Sequence, residues 1–188
     1  MPAPGSPDPL RIGPGRRRPA IAAGALAILA ASGSVAVATT PRPPPPPTKA
    51  TACGVFTLAD ARLLIGAAAR PDPSASHTVD FAGQRNTQCG YSAGANGLAD
   101  LQMLIPLNGE QAAELKISFE DNQSTDQGTI LKGIGAAAFW KSKVGTPAVY
   151  VLTASDVTFD LGATTTGSNS ASEAKLEQVA KKIVKALG

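Results

Sequence analysis

From residue 20 to residue 38 the chain reads AIAAGALAILAASGSVAVA, with no charged side chain. Arg16, Arg17 and Arg18 stand just before this run, and a proline block, Pro41 and then Pro43 to Pro47, stands just after it. Nineteen residues at ~1.5 Å each give a helix of roughly 29 Å, close to the ~30 Å hydrocarbon thickness of a bilayer. The run therefore confines any folded core to residues 51–188 and divides the chain into four parts. Residues 1–19 are a basic, disordered cytoplasmic tail. Residues 20–40 are a transmembrane helix or a signal peptide. Residues 41–50 are a Pro-rich linker, stiffened as polyproline II and serving as a spacer. Residues 51–188 are one extracytoplasmic domain. The arginine cluster sets that orientation by the positive-inside rule. Two readings of the run stand. In one it is a retained single-pass anchor in the cell membrane. In the other it is a signal cleaved near Ala38, where Ala36-Val37-Ala38 has the small-residue spacing of a cleavage site and the domain is secreted. The long basic leader and the linker favour the anchor. Arg17-Arg18 followed by Pro19 is a poor match to a twin-arginine signal.

The net charge of +3 hides an asymmetry. Residues 1–50 carry +5 and residues 51–188 carry −2. The folded part is mildly acidic, which argues against a nucleic-acid partner, because that needs a basic face on the domain.

Patterning within the domain predicts an α+β fold, an antiparallel sheet with packed helices. Thr57-Leu58-Ala59-Asp60 opens a helix. Leu58, Ala61, Leu64 and Ile65 form its apolar stripe, and Gly66 ends it. A loop is expected from there to His77. Short strands follow over residues 78–81 and 88–92, and a clearer strand over 98–105, where Ala99, Leu101, Met103 and Ile105 alternate with Asp100 and Gln102. Residues 110–119 read as a helix with Ala113, Leu115 and Ile117 available for burial, and residues 120–128 as a polar loop. A three-stranded meander over 136–141, 148–153 and 157–161 has turns at Val144-Gly145-Thr146-Pro147 and Ala154-Ser155-Asp156. A capping box at Ser170-Ala171-Ser172-Glu173 opens a last amphipathic helix with Leu176, Val179, Ile183, Val184 and Leu187 on one face.

The only two cysteines are Cys53 and Cys89. In an exported domain a pair of this kind usually forms a disulfide, with free thiols or a metal site as the alternatives. One histidine in the chain and no C-x-x-C spacing make zinc a poor fit. Cys53 lies too far past the apolar run to carry a lipid.

Four features occur together: Cys53 just before the TLADARLLIG helix, Gln88-Cys89-Gly90-Tyr91, Gly133-Ile134-Gly135 ahead of Ala136-Ala137-Ala138, and the amphipathic C-terminal helix. In this the domain resembles the small secreted or lipoprotein-like domains of unknown function common in actinobacterial cell envelopes. The resemblance covers about residues 51–187. It implies a Cys53–Cys89 disulfide and an envelope location, and it implies no enzymatic activity. Many such domains carry a lipid-attachment cysteine, whereas this chain has an apolar run and a proline spacer.

No constellation in the sequence carries catalysis. Gly133-Ile134-Gly135-Ala136-Ala137-Ala138 fits a dinucleotide fingerprint in form, but the next turn comes too soon for the required helix, so a glycine turn entering a strand is the better account. His77, the sole histidine, reads as an exposed loop residue. Glu120, Asp121 and Asp126 could suggest a calcium loop, but Gln123 and Thr125 occupy places where that motif wants Asp or Asn. Neither a metal nor a cofactor is expected. Asn122-Gln123-Ser124 has the form of a glycosylation sequon. Phe139 and Trp140 point to opposite faces of their strand; core packing of both, with a helix on each side, is the favoured reading, and if one is exposed it is the candidate binding residue. The expected function is a membrane-tethered extracytoplasmic domain that binds a protein or cell-envelope component without catalysis. The alternatives are an envelope hydrolase with dispersed acidic residues and a lipid or small-molecule carrier. A flat face with exposed aromatics would favour the first, converging carboxylates the second, and a deep apolar cavity the third.

Overall fold

The computed structural model describes residues 49–141, 146–165 and 173–188. The tail, the apolar run, the linker as far as residue 48, Val144 and Gly145 of one turn, and Ser170-Ala171-Ser172 of the last cap lie outside these residues. In chain order the elements are α1 (Ala52–Val55), α2 (Leu58–Ile65), β1 (Arg70–Phe81), β2 (Gln84–Ser92), β3 (Gly97–Pro106), α3 (Gly109–Asp126), β4 (Thr129–Ile130), β5 (Ala137–Lys141), β6 (Ala148–Leu152), β7 (Thr158–Thr165) and α4 (Glu173–Leu187). The strands form one antiparallel sheet in the order β1-β2-β3-β7-β6-β5-β4. The class is therefore α+β, as the patterning predicts. Among the described residues no helix is long and apolar enough to cross a membrane.

Strand alternation sorts the two faces. Ala99, Leu101, Met103 and Ile105 of β3 lie on one face with Phe159, Leu161 and Ala163 of β7 and Val149 and Val151 of β6, and all are buried. They form the main core with Leu64 and Ile65 of α2 and with Leu176, Val179 and Ile183 of α4. Asp60 fastens α2. It accepts from the Thr57 backbone N–H at 2.8 Å and hydroxyl at 2.6 Å, and pairs with Lys182 of α4 at 2.7 Å. Burial works against its ionisation, but the Lys182 and Thr57 hydrogen bonds outweigh that and hold its carboxyl below the usual range.

Cys53 and Cys89 are disulfide-bonded. The bond is one of three ties between the start of the domain and a single side of β2. The Thr87 hydroxyl accepts the Ala52 N–H at 3.0 Å, and the Tyr91 hydroxyl donates to the Phe56 carbonyl at 3.1 Å. Residues 87, 89 and 91 alternate along the strand, so their side chains share one face.

Three expectations need correction. Residues 70–77, read as a loop, belong to β1. Pro71 and Pro73 are tolerated because β1 is an edge strand, where a missing N–H breaks no ladder on the open side. The register shifts between Asp72 and His77, where Asp72 accepts from the N–H and hydroxyl of Ser74. Residues 120–126, read as a loop, complete α3, which stops only at Gln127 in the left-handed region (φ 48°). Finally, α3 buries Leu115 and Phe119, spaced four apart, whereas Ala113 and Ile117 are exposed. The sequence Gly133-Ile134-Gly135 is the expected glycine turn. Gly135 has φ 59°, and a side chain there would run into the Leu152 carbonyl.

Candidate ligand groove

The second face of the sheet carries the polar members of the same alternation. Register aligns Gln102 of β3, Asp160 of β7, Tyr150 of β6 and Phe139 of β5 in one row across the strands. The next row holds Asp100, Gly162, Ala148 and Lys141. One helix, α3, packs on this face, against β3, β6 and β7. Leu115 and Phe119 anchor it, and Phe119, Phe139 and Leu152 make a small second core. A single helix covers only part of such a face. A cavity of about 130 Å³ remains beneath it, lined by the apolar side chains of Leu104, Leu115 and Phe119 and by the polar ones of Gln102, Asn122, Tyr150 and Asp160. Tyr150 and Asp160 also border a second depression, which includes Asp100, Lys141 and Gly162.

Tyr150 is fixed on several sides. Its ring stacks on Phe139 at 5.1 Å with 9° between planes, and the Lys141 ammonium lies 5.5 Å from its centroid. Lys141 is itself paired with Asp126, at the end of α3, at 2.8 Å. The Tyr150 hydroxyl hydrogen-bonds the Asp160 carboxyl. Gly162 leaves room for Asp100: a side-chain carbon there would sit 3.3 Å from Asp100 Oδ1.

Burial pushes the Asp160 carboxyl up to about 6. The Tyr150 hydrogen bond pulls against this shift, the Asp100 charge adds to it, and Lys141 opposes it. Burial also raises Asp100. Tyr150 is raised by burial and then by the Asp160 charge. Asp160 Oδ1 is sealed from solvent and has no hydrogen-bond partner among the described residues. An acceptor left unpaired costs ~1–3 kcal/mol, so a donor brought to this oxygen would be stabilising.

The residues singled out from sequence lie elsewhere or deeper. Phe139 is fully buried beneath the groove, while Trp140 faces the opposite way and packs, half-buried, against the main core. His77 is exposed on β1, and Asp156 occupies a left-handed turn position (φ 61°). Glu120 and Asp121 are exposed on α3. Among the described residues no three acidic, cysteine or histidine side chains are grouped to hold a metal ion. Sequence reasoning missed Asp100, Tyr150 and Asp160 as a group. The available signal was that each is the polar interruption of an apolar strand, in LADLQMLI, AVYVL and TFDLG. No family model, curated protein or solved structure matches this chain.

Proposed function

We propose that the chain is a non-enzymatic binding protein of the cell envelope. Residues 20–38 tether it to the membrane, and the groove between α3 and strands β3, β7 and β6 is its ligand seat. The observation that carries this reading is the sealed, unpartnered oxygen of Asp160 beside a cavity bounded by both apolar and polar groups. Binding sites typically combine an apolar wall with a few placed polar groups.

A second reading, hydrolysis, draws on the presence of Asp100 and Asp160 on one groove. Acid–base pairs work when their environments push the two carboxyls apart, one protonated and one ionised. Here burial raises both. The cavity is also smaller than the ~300–1,000 Å³ typical of sites that enclose a whole small molecule, so it takes one end of a ligand.

Photo-cross-linking in intact cells tests the proposal. The full chain carries a photoreactive residue at position 118, beside the cavity, or at position 79 on β1 as a control. A reproducible adduct at 118, absent at 79 and lost in Asp160→Asn, is expected. The mass of the captured chain also reports the tether: a chain beginning near Thr39 replaces the anchor with a cleaved signal. Adducts at 79 alone would move the seat to β1. Turnover of envelope glycan abolished by Asp100→Asn would establish the hydrolase instead.

A further inference from the structure

Among the described residues the groove has a definite electrostatic sign. Asp160 faces Asp100 and Gln102 from β3, Tyr150 from β6 and Lys141 from β5, and α3 adds Asn122 and, at its end, Asp126. The one cation in that set, Lys141, is engaged by Asp126 at 2.8 Å. The side of the groove held by Asp160 and Asp100 thus carries two carboxyls, with the Tyr150 hydroxyl on Asp160 and one buried Asp160 oxygen without a donor among the described residues. Leu104, Leu115 and Phe119 add hydrocarbon to the lining of the same cavity.

We infer that the cavity under α3 seats a primary alkylammonium group, its nitrogen at the Asp160 carboxylate and its methylenes against Leu104, Leu115 and Phe119. The inference rests on the groove being the ligand seat and names the chemistry of what enters it. An ammonium supplies the charged donor that Asp160 lacks, and charge-assisted hydrogen bonds of this kind are about twice as strong as neutral ones. The terminal torsion of an aspartate is soft, so rotation about Cβ–Cγ turns Oδ1 toward the cavity. The space is suitable too. A cavity of ~150 Å³ is enough for benzene, and a four-carbon chain is of similar bulk. An anionic ligand would meet Asp160 and Asp100, and a neutral one would add no charge to the partial compensation that Lys141 gives Asp160.

The test is calorimetric titration of the full chain in a neutral detergent with n-butylammonium, using n-butanol as the uncharged analogue of the same bulk. At pH 7 the ammonium binds at least tenfold more tightly than the alcohol. The pH dependence has a definite sign. An ammonium binds the ionised carboxylate, and with Asp160 titrating near 6 the ionised fraction, and with it the affinity, falls about tenfold between pH 7 and pH 5. Asp160→Asn removes both the preference for the ammonium and the pH dependence. Ser118→Trp, at an exposed α3 position beside the cavity, blocks both probes while leaving the carboxyls in place, and it decides the matter if Asp160→Asn does not fold. Equal binding of alcohol and ammonium, or unchanged ammonium binding in Asp160→Asn or Ser118→Trp, overturns the inference. If the ammonium fails to bind while the position-118 adduct persists in cells, only the ligand class is wrong. If both fail, the groove is not the seat.

Discussion

Burial holds the Asp160 carboxyl above its ordinary range, against the pull of Tyr150 and Lys141. Its carboxyl ionises near 6 in the folded chain and near 3.8 when solvated, so the folded state holds the proton more tightly than the unfolded state does. Stability is therefore greatest with Asp160 protonated and declines as pH rises from about 4 to about 6. The loss is on the order of 2–3 kcal/mol and stays constant above that window. Asp60 acts in the opposite sense. Its depressed value contributes stability that is present above the solvated carboxyl range and is lost as pH falls through the folded value. Asp160→Asn should raise the melting temperature by several degrees at pH 7.5 and leave it nearly unchanged at pH 4, as differential scanning calorimetry at the two pH values would read. An equal gain at both pH values would mean that the effect is packing and not charge. Natural sequences keep such a cost chiefly where function needs the group.

At the scale of elements, β2 is the strand that holds the first described residues of the domain. Thr87, Cys89 and Tyr91 grip residues 52–56 through two hydrogen bonds and a disulfide that spans 36 residues of sequence. Loop-closure entropy makes that cross-link worth about 3.8 kcal/mol as an upper estimate. Replacing both cysteines with serine should cost ~2–4 kcal/mol in urea denaturation and raise the m-value, because the unfolded chain loses its constraint and exposes more surface. An unchanged midpoint would show the disulfide to be decorative. The same elements show what the sequence could and could not reveal. The α2 stripe, the β3 alternation and the α4 face were legible because each buries one side against the main core, and local period reports that directly. The first half of β1 was not, because Pro71 and Pro73 signal a loop wherever the strand's edge position is unknown. The second half of α3 was not, because EDNQSTD is polar all round and is held in the helix by Phe119 behind it and the Lys141 pair at its end. The groove was least legible. Asp100, Tyr150 and Asp160 meet only through the β3–β7–β6 pairing order, and β3 and β7 are more than 50 residues apart in sequence.

At the scale of the whole domain, the two faces of the sheet are unequally covered. Among the described residues, helices α1, α2 and α4 pack on one, and α3 alone crosses the other on its way from β3 to the β4 edge. That imbalance creates the groove, and the carboxyls on the half-covered face give it its sign. A competing surface exists at the β1–β2 hairpin, where Phe81 is 72% exposed and Val79 53%. Scattered exposed apolar side chains are ordinary on protein surfaces, so the account assigns recognition to the groove. Hydrogen–deuterium exchange of the full chain, with and without an extract of the cells that make it, separates the two most directly. The account predicts slower exchange in peptides from α3, β6 and β7, with β1 and β2 unchanged, and loss of that protection in Ser118→Trp. Protection confined to the β1–β2 hairpin, or protection over α3 that survives Ser118→Trp, would contradict it.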